Sequence, residues 1–105
     1  MTNIDPTYRA LCEFEIVSSQ YDFSTHWLGR NKSYYSAHKA HDRDASVEVL
    51  TTARAKIQSL AASFRHADRS PTIYRARSAL VGEAYRLNQE LQKRALTPNT
   101  TAILA

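Results

Sequence analysis

Residues 23–57 read FSTHWLGRNKSYYSAHKAHDRDASVEVLTTARAKI, and a single glycine, Gly29, lies near the start of this stretch. Before the glycine, Phe23, Trp27 and Leu28 share one face of a helix. Gly29 suits the end of that helix, because the closing residue often needs φ > 0, which costs other residues about 1 kcal/mol or more. Only a few residues around the glycine separate the two helices, so the second must cross the first steeply. The stretch therefore predicts helix-turn-helix geometry.

The segment that follows the glycine is polar for the middle of a helical chain. Residues 29–46, GRNKSYYSAHKAHDRDAS, carry aromatic and basic residues in the middle and acidic residues and serine at the end, with no strand-like alternation. In helix-turn-helix geometry the second helix of the pair buries only a narrow stripe, here Tyr35 and His38. Its remaining face is therefore free to be polar.

Length and composition describe one compact domain. The chain has 105 residues, 43% of them hydrophobic, with two glycines and three prolines, which is enough for a single modest core. The longest apolar runs are a few residues, so we expect no membrane span, and the N-terminus lacks the layout of a secretory signal. We therefore expect a cytoplasmic protein.

Apolar spacing and capping residues predict five helices and no strand, an all-α single domain over residues 1–105 that combines a helix-turn-helix with a long C-terminal helix. Serine, asparagine and proline mark most of the helix starts. The first helix covers about 7–17 after Asp5-Pro6, a short second helix lies between Ser19 and Gly29, and a third covers about 32–41, capped by Asn31. The fourth helix is capped by Ser46 and has an apolar stripe of Val47, Leu50, Ala53, Ile57, Leu60 and Phe64. The last helix covers 71–94, is opened by Ser70-Pro71, and is followed by a tail over 95–105 that contains Ile103 and Leu104.

Charge is distributed unevenly along the chain, whose formal net charge is +4. Residues 1–22 carry one base against four acids, a net charge of −3, whereas residues 54–77 carry six bases against one acid, a net charge of +5. This asymmetry favours an extended anionic partner on one side of the molecule. A solvated basic face without a partner fits the charges equally well.

The stretch 23–57 resembles the helix-turn-helix of the Cro and lambda-repressor-like regulators. That family has a small residue in the turn, an apolar residue six positions later in a polar recognition helix, a basic loop, and a small polar residue that opens a helix with a leucine four positions on. The matching residues are Gly29, Tyr35, Arg43, Ser46 and Leu50, in register without a gap. The family pattern differs at Thr25, Arg30, His38, His41 and Ala45, and at Phe23, which lies one position early, as if the second helix were one residue longer.

The resemblance implies a recognition helix over about 31–41 that reads duplex DNA. Base contacts would come from Lys32, Ser33 and Ala37, while Tyr34 projects from the same side and could reach a base, sugar or phosphate. Lys32 is the strongest candidate, because lysine donates to the O6 and N7 acceptors of guanine. Phosphate contacts would come from Arg30, Asn31, Ser36 and Arg43. The alternative is that this face is only solvated.

The last predicted helix carries two overlapping apolar faces. Ile73, Leu80 and Leu87 recur every seven residues, a spacing that suits a coiled coil with a second copy, and hence a homodimer on an inverted repeat. The same stripe could instead pack on helices one and four as intramolecular core. Val81 and Tyr85 broaden the apolar surface, so the helix could do both. The alternative function is a small helical adaptor whose basic face binds an acidic protein partner.

Other chemistry has weaker support in the sequence. HKAHDRD, residues 38–44, offers imidazoles and carboxylates to a metal, but His38 also suits a half-buried position and His41 a left-handed loop position. Glu13 and Glu15 point apart on a helix, so we expect no enzyme, and we expect no metal, cofactor or small-molecule ligand. Cys12 suits a small core residue better than a reactive thiol.

Overall fold

The computed structural model describes residues 2–64 and 70–95. Within these ranges the chain folds into five helices and no strand, which confirms the all-α fold. None of the described helices combines the length and the hydropathy needed to cross a membrane. The helices are α1 (Asp5–Glu13), α2 (Gln20–Asp22), which continues into a π-helical turn (Phe23–Trp27), α3 (Tyr34–Ala40), α4 (Val47–Ser63) and α5 (Pro71–Ala95).

One hydrophobic core joins all of these helices. α4 packs along α5, α1 packs on α5, and the π-helical turn contacts both α3 and α4. The loops also contribute, because Ile4, Val17 and Ala45 are buried. The largest fully buried apolar side chains are Ile4, Leu11, Phe23, Leu28, Tyr35, Val49, Leu50, Ile57, Leu80 and Leu87.

Two members of the seven-residue stripe of α5, Leu80 and Leu87, belong to this core. Both are buried in a single chain, and Ile73 is half-buried. The structure thus corrects the assignment of Leu80 and Leu87 to a homodimer interface, because side chains covered by their own chain are not available to a second copy, while the assignment of Ile73 stays a prediction. On α4, Val47 is exposed and Val49 is buried in its place.

Several predicted helix starts are confirmed. The hydroxyl of Ser19 accepts from the backbone N–H of Asp22 at 3.0 Å, and that of Ser46 accepts from Val49 at 3.3 Å. Pro71 is the first residue of α5. Each of the two serine hydroxyls satisfies a backbone donor that the first turn of a helix leaves unpaired.

The end of α1 differs from the prediction, which extended the helix to about residue 17. Glu15 has φ +57°, and the backbone N–H groups of Glu15 and Ile16 donate back to Cys12 and Leu11 at 3.0 and 2.8 Å. This pattern is a Schellman motif, which usually has glycine at the left-handed position. The helix therefore ends at Glu13, and Ile16 packs on the core from outside the helix.

Buried polar groups fasten α1 to α5. Glu83 is buried and accepts a hydrogen bond from the hydroxyl of Thr7 at 2.5 Å and from the guanidinium of Arg86 at 2.6 Å. The same guanidinium donates to the backbone oxygen of Asn3 at 2.8 Å. Since the buried carboxylate has an opposite charge and hydrogen-bond donors around it, its burial is compensated.

Tyr35 fastens α3 to the rest of the fold. Its backbone N–H donates to the hydroxyl of buried Ser24 at 3.0 Å. Its ring lies 4.8 Å from that of Tyr8 and 5.0 Å from that of Phe23, between centroids. Its hydroxyl donates to Oδ1 of Asp5 at 2.5 Å. The predicted burial of Tyr35 is confirmed, and one side chain connects α3 to α1 and to the π-helical turn.

The hydrogen bond between Tyr35 and Asp5 shifts the pKa of both groups. Desolvation raises the pKa of the Asp5 carboxyl, but hydrogen bonds from Tyr35 and Thr2 outweigh it and hold the pKa below its ordinary value of 3.8. Burial raises the pKa of Tyr35 far above its usual range, and the hydrogen bond to the carboxylate adds to this. The pair is therefore a neutral phenol that donates to an ionised carboxylate.

We expect Tyr35→Phe to lower the free energy of unfolding by about 1–3 kcal/mol, because it removes a buried donor to a charged acceptor. The contribution of Asp5 is complete above its unfolded pKa and disappears as pH falls through the lower folded pKa. The difference between the two proteins should thus be largest near neutral pH and narrow below about pH 4. Urea unfolding across pH measures it, with the exposed Tyr21→Phe as control. A difference that does not depend on pH would contradict the role of the carboxylate.

The two glycines should respond to alanine in opposite directions. Gly29 has φ +66°, and an added Cβ would meet only Thr52 Cγ2 at 3.6 Å, an ordinary contact. Gly29→Ala should therefore destabilise by about 1–2 kcal/mol through the backbone alone. Gly82 lies inside α5 with open space around it in the single chain, so Gly82→Ala should stabilise the monomer by about 0.5–1 kcal/mol. Chemical denaturation of both variants checks the signs, and equal effects would remove the conformational explanation.

Candidate nucleic-acid interface

The π-helical turn sets the direction in which the chain enters the turn before α3. The backbone N–H of Leu28 donates to the oxygen of Phe23, five residues earlier, at 3.1 Å, and that of Arg30 donates to Ser24 at 3.0 Å around the left-handed Gly29. A π turn holds more residues than an α turn. It begins at Phe23, the residue that lies one position early in the family pattern. The predicted left-handed glycine is confirmed.

The turn between the two helices is longer than predicted, and α3 is shorter. Residues 28–33 separate the π-helical turn from α3, which has seven residues. The N-cap of α3 is Ser33, without a side-chain cap, so the assignment of Asn31 as N-cap was wrong. Oδ1 of Asn31 accepts instead from the backbone N–H of Ser33 at 3.0 Å. This bond forms an Asx turn, which competes with helix for the same residues.

The structure brings most of the predicted contact residues together on one exposed surface, which we call the α3 face. It consists of the turn before α3 and the side of that helix opposite Tyr35. Tyr34 is the exception among the base-contact candidates, because it is half-buried against the core. The exposed members of the α3 face are Arg30, Asn31, Lys32, Ser33, Ser36 and Ala37, and Arg43 is exposed just beyond the helix.

Some of these side chains already have partners in the chain. The guanidinium of Arg30 lies 3.1 Å from the carboxylate of exposed Glu48. Nζ of Lys32 lies 5.7 Å above the ring centroid of Tyr21, and the hydroxyl of Ser36 donates to the backbone of Ser33 at 3.1 Å. Exposed ion pairs and cation–π contacts are weak. Arg30 and Lys32 can therefore exchange these partners for a ligand at little cost.

The end of α3 confirms one expectation about histidine and corrects another. His38 is half-buried, as expected, and its ring stacks on that of Tyr34 with centroids 4.0 Å apart. His41 has φ −102°, and the left-handed residue is Asp42, with φ +50°. The N–H of Arg43 donates back to His38 at 2.8 Å and closes the turn. No group of three potential metal ligands converges within residues 2–64 and 70–95.

In the described part of the basic segment 54–77, the bases are divided between α4 and α5. Arg54 is half-buried and donates to Oδ1 of Asn88 at 2.9 Å, and Nζ of Lys56 donates to the backbone oxygen of His26 at 2.5 Å. Arg75 and Arg77 lie on the next helix, α5, and Arg65, Asp68 and Arg69 lie outside the described residues. Charge counted along the sequence did not reveal these inward contacts.

Two residues of the surface were not singled out from the sequence. Tyr21 is 57% exposed beside Lys32, and Lys39 is exposed in the last turn of α3. Lys39 follows Tyr35 by four residues, which places it on the Tyr35 side of α3, where its charge helps to lower the pKa of the Asp5 carboxyl. It adds a base beside the α3 face and is not part of that face. The contact between Tyr21 and Lys32 joins α2 to the turn before α3, and no local spacing predicts it.

Neither the curated proteins nor the solved structures contain a match to this chain. A protein-family model does match it, over residues 4–101. These residues include all five helices and the whole α3 face. The chain therefore belongs to the family of unknown function DUF6626.

Proposed function

We propose that this chain is a sequence-specific, non-enzymatic regulator of transcription that binds duplex DNA through the α3 face, in a bacterial or phage cytoplasm. The observation that carries the proposal is the way α3 is held. Tyr35 is buried to 1% exposure, while Lys32, Ser33, Ser36 and Ala37 remain exposed on the other side. The helix is thus fixed by one face and free to contact a ligand with the other.

The dimensions of α3 suit the major groove of DNA. An α-helix with its side chains is about 10–12 Å in diameter, and the major groove is about 12 Å wide, so α3 can lie in it. In helix-turn-helix proteins the first residues of the recognition helix contact the base edges. Lys32 and Ser33 directly precede the first residue of α3 and so lie next to this position. The methyl group of Ala37 can contact the methyl group of thymine.

The charge of the surface suits phosphate. Residues 28–48 contain Arg30, Lys32, Lys39 and Arg43 against Asp42, Asp44 and Glu48, a net charge of +1. Lysine and arginine that neutralise phosphates release counterions from DNA, which contributes affinity independent of sequence. The bases flank the polar centre of the α3 face, where base contacts would provide specificity.

A homodimer is part of the proposal. One seven-residue helix reads only a few base pairs, whereas a genome offers about 10⁶ or more competing sites. Two copies related by a two-fold axis would contact an inverted repeat, with recognition helices about 34 Å apart.

The second candidate function is a helical adaptor that binds an acidic protein segment. The observation in its favour is the hydrogen bond from Arg30 to Glu48, because a base of the α3 face here binds a protein carboxylate. A carboxylate of an acidic partner could take the place of Glu48. Gel shifts with duplex DNA at increasing salt separate the two functions. DNA binding should weaken steeply with salt, and no shift at low salt would favour the adaptor.

Lys32→Ala should reduce affinity for the preferred site by about 1–3 kcal/mol and affect random DNA far less, as removal of a base contact does. The preferred site is first obtained by selection from random duplex DNA, and both affinities are then measured at one salt concentration. Arg9→Ala, which removes an exposed base on α1, serves as the control and should change neither affinity. Equal losses on the two DNAs would exclude base reading by Lys32.

Arg43→Ala should weaken binding to all sequences alike, because a phosphate contact carries no sequence information. The slope of log affinity against log salt should fall by about one unit. Titrations of both DNAs at four or more salt concentrations provide the slopes. An unchanged slope would place Arg43 outside the interface.

A further inference from the structure

α5 exposes a continuous stripe without charge. The exposed residues along its solvent side recur at intervals of three or four, which places them on one face of the helix. The chain as a whole is 23% charged, whereas these seven positions carry no charge and the exposed bases Arg75 and Lys93 lie at their edge. An uncharged centre with charges at its edge indicates a contact surface, since interface centres are depleted of charge and enriched in tyrosine. This surface, the outward stripe, consists of Tyr74, Ser78, Val81, Gly82, Tyr85, Gln89 and Gln92.

Gly82 lies at the centre of the outward stripe and has no role in the packing of its own chain. A Cβ at this position would meet no atom within 4 Å, and glycine inside a helix costs about 0.5–1 kcal/mol relative to alanine. A glycine in this position permits another backbone to approach closely.

The outward stripe also contains a hollow beside this glycine. Tyr74, Arg77, Ser78 and Val81 surround a space of about 300 Å³. These residues are spaced i, i+3, i+4 and i+7, the frame that receives one side chain of a facing helix in knobs-into-holes packing. Ser78, the smallest of the four, leaves room for a large side chain.

We propose that the outward stripe is the homodimer interface, formed by antiparallel packing of α5 on α5 of a second copy about a two-fold axis between Val81 and Gly82. This assignment rests on the homodimer proposed above and names its surface. Tyr85 lies three residues after Gly82, and Ser78 lies three residues before Val81. The two-fold axis therefore places Tyr85 of each copy opposite the hollow at Ser78 of the other, and Val81 opposite Gly82.

Charge and area both favour a second copy as the occupant. Two chains of net charge +4 repel each other, and an uncharged stripe is where identical surfaces meet without opposing like charges. Tyr74 and Tyr85 are 69% and 65% exposed, and at about 150–250 Å² for a whole tyrosine they offer about 200–330 Å² together. That is a substantial part of the ~800 Å² that each partner buries in a stable interface.

The surface beside the stripe adds to this area. A groove of about 430 Å³ between α4 and α5 adjoins Val81 and Tyr85, and Gln58, Ala61 and Ala62 line its other side. The small side chains of α4 let a second helix approach without a clash.

Sedimentation of the full-length chain without DNA tests the assignment. At about 50 µM we expect the wild type to be a dimer, and we expect Val81→Glu to weaken association at least tenfold at unchanged helical content. The glutamate would lose its hydration opposite Gly82 of the second copy, and an i, i+4 pair with Arg77 is too weak to offset this loss. Val47→Glu is the matched control: Val47 is 47% exposed on α4 and Val81 is 52% exposed, so this variant should remain dimeric.

Gly82→Leu provides a second measurement that does not depend on introducing a charge. Leucine has a higher helix propensity than glycine and meets no atom in its own chain, so the monomer should become more stable to urea while the dimer becomes weaker. These opposite signs distinguish an interface from a structural role.

Three results would overturn the assignment. The first is a wild type that sediments as a monomer, which includes the case in which residues 96–105 cover the stripe of their own chain. The second is a Val81→Glu protein that is as dimeric as Val47→Glu. The third is a Gly82→Leu protein that is as dimeric as the wild type. DNA binding is measured separately. A monomer that binds its selected site would refute the homodimer and this interface but not the binding of DNA by the α3 face. A dimer with no affinity for DNA would refute DNA binding but not this interface.

Discussion

The hydrogen bond from the buried hydroxyl of Tyr35 to the carboxylate of Asp5 is the contact on which the position of α3 depends. A helix of seven residues is too short to be stable alone in water, so α3 exists because its neighbours hold it. Tyr35 contacts two of them at once, since its ring packs on Tyr8 of α1 and on Phe23 of the π-helical turn. One side chain thus fixes both the existence and the orientation of the helix that carries the proposed recognition surface.

Unusual backbone conformations surround this helix. The π-helical turn and left-handed Gly29 precede it, and left-handed Asp42 follows it. Each changes the direction of the chain within one or two residues, where an ordinary helix would have continued. Such conformations cost about 1–3 kcal/mol each outside glycine and persist where the surrounding structure holds them. Here the surrounding structure is the aromatic cluster at Tyr35 on one side and the capped start of α4 at Ser46 on the other.

The two proposed contact surfaces, the α3 face and the outward stripe, differ in chemistry, and so do the ligands proposed for them, DNA and a second copy of the chain. The α3 face is polar and basic, which suits a phosphate backbone with base edges between the strands. The outward stripe of α5 is uncharged and rich in tyrosine, which suits a second protein surface. The core lies between them, with Leu80 and Leu87 turned inward from the same helix that exposes Val81 and Tyr85. Binding at one surface therefore leaves the other accessible.

The sequence by itself determined the order of the helices and most of their starts, because capping and turn chemistry are local. Ser19, Ser46 and Pro71 mark helix starts through bonds or dihedral angles within a few residues. Gly29 marks a left-handed position because glycine adopts it without strain. The burial of Tyr35 also followed from the sequence, because the second helix of a helix-turn-helix buries only a narrow stripe, predicted to contain Tyr35 and His38.

Only the tertiary structure decided which contacts those elements make. The left-handed positions at Glu15 and Asp42 carry no glycine, so residue type did not mark them in the sequence. Heptad spacing in α5 is compatible both with packing in the chain's own core and with packing on a second copy. In the structure α1 and α4 pack on α5, and Leu80 and Leu87 are buried in the chain's own core. The same packing left Tyr74, Val81 and Tyr85 exposed. Which face of a helix remains free depends on where distant segments lie, and no local pattern records that.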